Sequence, residues 1–320
     1  MKKRILAVLL SALILGNATA CNTAPEQESE TMTQTTTGEN AENTEIDAES
    51  EGLTSETTNN GEVPETEDDE GTFNSAAYMR YTLNDDGKSY TVCPEGLPDV
   101  VKELVIPGEY KGLPVTEVYG EMGERSIETI VISEGIKEIH IGFYYCRDIK
   151  NIYIPASVSY IAECTFNCYA TMGGHGRTKS NVIEKIIVAE ENPCYYVDGN
   201  CLIDRHSQRI LLGCNSSVIP DDGSVKSIGR AAFANCHAIE SIIIPKSIVE
   251  IEYAAFDNCD NLKQMYLTSS VSTDKTIVNF NEEFMVSYKP EFVLYVPDTE
   301  GLEIYSKHFG AHVNIEIGTP

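Results

Sequence analysis

Cysteine and histidine are the side chains here whose types and spacing come nearest to chemistry. There are ten Cys and six His. Cys164-x-x-x-Cys168 with His175 offers three ligands of the kind zinc accepts, but no fourth partner follows at the usual spacing. His308-x-x-x-His312 would set two imidazoles one helical turn apart, except that Gly310 between them weakens the helix. Asp257-Asn258-Cys259-Asp260-Asn261 is calcium-like in composition. It lacks the glycine and the terminal glutamate of a calcium loop, and turn-forming residues explain it better. No Gly-x-Ser-x-Gly, His-Glu-x-x-His or phosphate loop occurs. The expectation is no catalytic residue, no metal and no cofactor, with a Cys/His-dependent enzyme kept as a third reading.

The elements that must position these side chains announce themselves by repetition. Ile228/Ile251, Phe233/Phe256, Cys236/Cys259, Ile239/Leu262, Ile242/Met265 and Ile244/Leu267 are each 23 residues apart. Ile132/Ile154, Ile136/Val158, Ile139/Ile161 and Cys146/Cys168 are each 22 apart. A period near 20–25 residues means a solenoid, in which each coil buries its apolar face against its neighbours. Small apolar Cys at a recurrent inward position is a packing choice, so buried thiols are expected there. Cys194 with Cys201, across a predicted hairpin, is the pair that oxidation would select in an extracytoplasmic chain.

The repeated phrase Ile228-Gly229, Ala232-Phe233, Cys236, Ile239, Ile242, Ile244-Pro245, Ile248, Ile251, Ala255-Phe256, Cys259 resembles the BspA-type leucine-rich repeat. Residues 105–115 resemble that family's opening segment, and Tyr295-Val296-Pro297 with Ile304-Tyr305 its closing one. The resemblance spans about residues 80–310. The first two good repeats are one residue short before the Cys, residues 171–181 insert a Gly-rich stretch, and Cys164 stands where the family has a small residue. The implied fold is a leucine-rich-repeat solenoid of short parallel strands with tight helical turns, capped at both ends. The cap is expected over about 76–115 and the repeats over about 116–267. Asn84-Asp85-Asp86-Gly87 predicts a capping hairpin between Tyr78–Leu83 and Ser89–Val92. A small meander is predicted over 192–214, with a turn at Val197-Asp198-Gly199-Asn200, and a closing cap over 290–320 with a short helix at Glu300–Phe309.

Aligning the strands exposes a pattern on the face that should be concave. The outward column just before the last apolar residue reads Val105, Val131, Tyr153, Ile187, Ile243, Tyr266. A neighbouring column reads Lys102, Glu128, Lys150, Glu184, Glu240, Lys263, whose mostly alternating signs would pair between coils. β-branched and Tyr residues suit any parallel sheet surface. A contiguous apolar stripe also marks a binding surface. Both readings of the column stand at this point.

The ends say where such a solenoid would sit. Residues 1–20 read as a signal segment: Lys2-Lys3-Arg4, then an apolar run over Ile5–Leu15 of 11 residues, too short to span a bilayer. Ala18-Thr19-Ala20-Cys21 resembles a lipobox, which implies lipid attachment at Cys21. Residues 22–72 hold 16 Asp and Glu, with no Lys, Arg or aromatic, so they are expected to form a disordered acidic stalk from 21 to 72. The net charge of −27 leaves a marked acidity over the folded part, 73–320, which disfavours nucleic acid. The expectation is a cell-surface lipoprotein binding an extracellular protein or glycan, with adhesion to host matrix or other cells implied by the resemblance. The alternative is an envelope scaffold that recruits a partner for nutrient handling.

Overall fold

A computed structural model describes residues 75–123, 125–143, 146, 148–163, 165–166, 182–270, 279–280 and 290–320. The signal segment, Cys21, the stalk, Cys164, Cys168, His175 and the Gly-rich stretch lie outside the described residues. In chain order the strands are β1 (Met79–Leu83), β2 (Tyr90–Pro94), β3 (Glu103–Ile106), β4 (Glu109–Tyr110), β5 (Leu113–Glu121), β6 (Thr129–Ile132) and β7 (Glu138–Gly142). Then come β8 (Asn151–Ile154), β9 (Tyr160–Ile161), β10 (Lys185–Val188), β11 (Tyr195–Asp198), β12 (Cys201–Asp204), β13 (Arg209–Leu212) and β14 (Ser227–Ile228). The chain closes with β15 (Ser241–Ile244), β16 (Glu250–Ile251), β17 (Gln264–Leu267), β18 (Asn279–Phe280), β19 (Val293–Val296), helix α1 (Thr299–Phe309) and β20 (Asn314–Ile317).

Each regular repeat supplies one rung to each of two ladders, parallel except at the β1-β2 hairpin and through β11-β12-β13, where the pairing is antiparallel. The first ladder comprises β10-β8-β6-β3 and, in a second sheet, β15-β17-β19-β20. The other comprises β1-β2-β5-β7-β9 and β11-β12-β13-β14-β16-β18. Alternation does the sorting, because side chains on a strand point to opposite faces. In β15, Ile242 and Ile244 are buried while Ser241 and Ile243 face out. Pro245 follows one residue past the strand, where no ladder donor is lost. The predicted capping hairpin is present, with Met79 opposite Pro94 and Leu83 opposite Tyr90. α1 closes the other end, its first turn capped by the Asp298 carboxylate, which accepts from Gly301 N at 2.8 Å.

The tight helical turn expected at Ala-Phe-x-x-Cys is a tight turn and not a helix. Among the described residues the one α-helix is α1. Along 231–236 the amide donors alternate instead: Ala231, Phe233 and Asn235 reach the next coil at Tyr253, Ala255 and Asp257, whereas Ala232, Ala234 and Cys236 fold back within their own. Successive amides must therefore point in opposite directions, which a helix cannot do. Ala231, Asn235, Ala254 and Asn258 pay for this with φ of 53°, 64°, 54° and 54°. The Asn258 amide also donates to Asn235 Oδ1 at 3.2 Å, so the calcium-like run is a stack of turn asparagines. Phe233 and Phe256 lie beneath these arches, fully buried and stacked at 5.1 Å.

The meander is a partition, not a surface excursion. Along β12 the side chains part: Cys201 and Ile203 join the C-terminal core with Phe233 and Phe256, and Leu202 joins the N-terminal core with Ile139 and Ile161. Its first three residues are buried accordingly. The turn between β11 and β12 has Gly199 at φ 53° and Asn200 at φ 57°, and a Cβ on Gly199 would sit 1.9 Å from Val218 O. Asn192, buried at 2% exposure, ties the meander to the preceding coil. Its amide donates to Pro155 O and Val158 O at 2.7 and 3.0 Å, and its oxygen accepts from Cys194 N and Tyr195 N at 2.9 and 2.7 Å.

Two stability changes test this packing. Phe233→Ala should cost about 3–5 kcal/mol in denaturant unfolding, as other buried aromatics do. Asn192→Ala strands four buried backbone groups at once and should cost at least ~3 kcal/mol, given ~1–3 for each unsatisfied group. A loss below ~1 kcal/mol at Asn192 would show that the meander is anchored elsewhere.

Candidate binding surface

The outward column of the first ladder is in register. Val105 lies opposite Val131, Val131 opposite Tyr153, and Tyr153 opposite Ile187. In the second sheet Ile243 lies opposite Tyr266, and Tyr266 opposite Tyr295. Ile243 is 44% exposed and the other members are half-buried. Tyr266 and Tyr295 stack at 4.6 Å. The sequence reading missed Tyr295 as a member. Its signal was the Val296-Pro297 that follows it, at the same offset as Ile244-Pro245 after Ile243. The column is also broken once, since β10 and β15 belong to different sheets. In the gap, Asn200 of the meander turn serves the free edge of β10, its oxygen accepting from Ile186 N at 3.3 Å and its amide donating to Glu184 O at 3.1 Å.

Three members of the flanking charge column, Lys102, Glu128 and Lys150, pair as their signs suggest. The Lys150 ammonium donates to Glu128 Oε2 at 2.8 Å, and Lys102 Nζ lies 3.6 Å from Glu128 Oε1. The bond from Lys150 holds the Glu128 carboxyl below its ordinary range. These exposed pairs align coils more than they stabilise them.

The other ladder carries a second surface that the sequence reading did not reach. Tyr119, His140 and Tyr160 form a row of rings on its outer face, with centroids 5.4 and 5.0 Å apart. Tyr119 is 58% and Tyr160 45% exposed. The readable signal was their spacing along successive second strands. Beyond Tyr160 the ladder is interrupted between β9 and the meander sheet. There the Tyr195 hydroxyl stands in for a strand, accepting from Ile161 N at 3.0 Å. Arg209 bridges the seam, bonded to Glu163 at 2.9 Å and to Glu252. The guanidinium passes over Gly229, where a Cβ would lie 2.7 Å from Arg209 Nε and 2.6 Å from Ile210 O. A cleft of about 190 Å³ opens at this seam.

Of the chemical groupings weighed from the sequence, Cys164, Cys168 and His175 lie outside the described residues, and the others do not assemble. α1 ends at Phe309 and Gly310 caps it at φ 60°, so His308 and His312 do not share a helical face. Among the described residues no group of three or more His, Cys, Asp or Glu is placed to hold a metal. Cys194 and Cys201 are not a cross-strand pair: Cys201 lies opposite Asp198, and the Cys194 carbonyl accepts from Arg205 N beyond the ladder's end. The expectation of a bridge there is corrected by the register. Burial pushes the Cys146 and Cys201 thiols up to about 12, and that of Cys236 well above its ordinary value. Such thiols stay protonated and inert.

Residues 122–173 and 210–281 match the family described as BspA type Leucine rich repeat region, in six copies. The chain carries BspA-type leucine-rich repeats. Among solved structures it is similar to a leucine-rich repeat protein of T. pallidum, at 17% identity and TM-score 0.40 over 78% of this chain and 100% of that one. It is also similar to a leucine-rich cell surface protein of Faecalibacterium prausnitzii A2-165, at 14% identity and TM-score 0.32 over 76% and 94%. A leucine-rich repeat protein of Bacteroides ovatus is 23% identical, at TM-score 0.36 over 68% and 54%. No curated protein matches the chain. Among the described residues no helix is long and apolar enough to cross a membrane.

Two measurements follow. Gly229→Ala should displace Arg209 and cost ~1–3 kcal/mol, the usual range for overpacking; an unchanged melting temperature would mean the arginine is free to move. At pH 8, iodoacetamide should leave Cys146, Cys201 and Cys236 unmodified until denaturant is added, as peptide mapping can read. Rapid native alkylation of any of them would reopen the thiol-chemistry reading.

Proposed function

We propose that this chain is an extracytoplasmic bacterial surface lipoprotein whose BspA-type solenoid binds an extracellular protein and so mediates adhesion, to host matrix or to other cells. The observation that carries the reading is the in-register outward column Val105, Val131, Tyr153, Ile187 and, in the second sheet, Ile243, Tyr266, Tyr295. Rigid aromatic and large aliphatic side chains with a charged border are what binding centres are usually made of. The paired Lys102, Glu128 and Lys150 supply that border on one side. The acidity of the chain supports a protein partner over nucleic acid. Attachment through Cys21 after the Ala18-Thr19-Ala20 sequence, and a stalk over 22–72, would hold the solenoid out from the membrane.

Tyr153→Ser with Tyr266→Ser tests the surface. Both rings are half-buried on the outer face, so the double variant should keep its circular dichroism while losing at least about tenfold in affinity for a captured matrix protein. Unchanged affinity would move recognition off the stripe. For the anchor, intact-mass analysis of membrane-extracted protein should show a diacylglycerol on Cys21, and an unmodified Cys21 would refute it.

A further inference from the structure

We infer that the second ladder carries a separate glycan site, formed by the Tyr119–His140–Tyr160 ring row and the seam cleft at its end, which takes a neutral oligosaccharide. It does not rest on the protein-binding reading, because the two surfaces lie on different sheets.

The rings come first. Tyr119, His140 and Tyr160 follow one another at 5.4 and 5.0 Å with tilts of 36° and 35°. That step is comparable to one hexopyranose unit. Parallel strands enforce it, since each coil adds one ring at the ladder spacing. Tyr119 and Tyr160, at the two ends of the row, are about half exposed, so ring surface is available there to the apolar C–H face of a sugar. His140 is held in place by Glu138, 2.9 Å from its Nε2.

The cleft supplies the polar half. Tyr160 lines it together with Glu163, Asp204, Arg209 and Arg230. Carboxylates accept from hydroxyls and guanidinium groups donate to them, so both sexes of hydrogen bond are available within one small cavity.

Charge and backbone pairing select the ligand class. Arg209 is already neutralised by Glu163 and Glu252, and the chain is strongly acidic, so an anionic ligand is repelled. A peptide adding as a strand would need the free edge of β9. That edge is occupied, because Ile161 N already donates to the Tyr195 hydroxyl at 3.0 Å. A neutral, flat-faced, hydroxyl-rich chain meets neither obstacle.

Isothermal titration of the full chain in detergent with cellohexaose, xylohexaose, mannohexaose, chitohexaose and an anionic heparin hexasaccharide tests the site. At least one neutral sugar should bind. Tyr119→Ala with Tyr160→Ala, checked for an unchanged melting temperature, should weaken that binding at least about tenfold. Should the double variant unfold, Tyr119→Ser alone, at the more exposed ring, should still weaken it several-fold. Absence of heat with all four neutral sugars at millimolar concentration would overturn the inference. So would equal affinity in a folded ring variant, or binding of the heparin fragment alone.

Discussion

The whole structure depends on one requirement: every backbone edge that a coil exposes must be paired by the next coil. The two ladders meet it wherever the repeat runs regularly. The arches at 231–236 meet it too, by sending alternate amides to the neighbouring coil and back. The left-handed backbone at Ala231 and Ala254 is the cost, and it persists because the surrounding bonds over-determine it. Where the repeat is broken by the meander, side chains take over the pairing. Asn200 completes β10, the Tyr195 hydroxyl completes β9, and Asn192 fastens the approach.

The same interruption divides the core. β12 sends Cys201 and Ile203 one way and Leu202 the other, so the molecule has an N-terminal and a C-terminal apolar cluster with a strand between them. The partition explains why the outward column of the first ladder falls into two sheets. It also explains why charged groups gather at the seam of the second: Arg209 is drawn between Glu163 and Glu252, one from each side. A wall that seals two cores thus produces the cleft beside Tyr160.

Much of this was legible because a solenoid writes its inward positions at a fixed period. Ile242/Met265 and Ile244/Leu267 are register partners in the structure, as their spacing implies. The two hairpin turns carried local signals in Asn84–Gly87 and Gly199-Asn200, and the closing helix expected at Glu300–Phe309 is found at Thr299–Phe309. Other features depend on non-local geometry that no local pattern encodes. The arch at Ala231-Ala232-Phe233 has helical composition, yet inter-coil bonding overrides it. Cys194 and Cys201 flank a hairpin in sequence, but the pairing of Asp198 with Cys201 leaves them out of step. The ring row recurs at a regular spacing along the second strands, but nothing in that spacing says that the three rings share an outer face. The seam arises from partners as distant as Glu163 and Arg209, 46 residues apart.

The most direct test of this account is amide exchange in a Tyr195→Phe variant, which removes one oxygen and leaves the ring. If a meander side chain replaces the missing strand, the Ile161 amide should lose protection by one to two orders of magnitude, on the scale of a lost ~1–3 kcal/mol bond, while amides paired between β5 and β7 stay protected. Unchanged protection at Ile161 would contradict the claim that side chains of the meander carry the pairing across the seam.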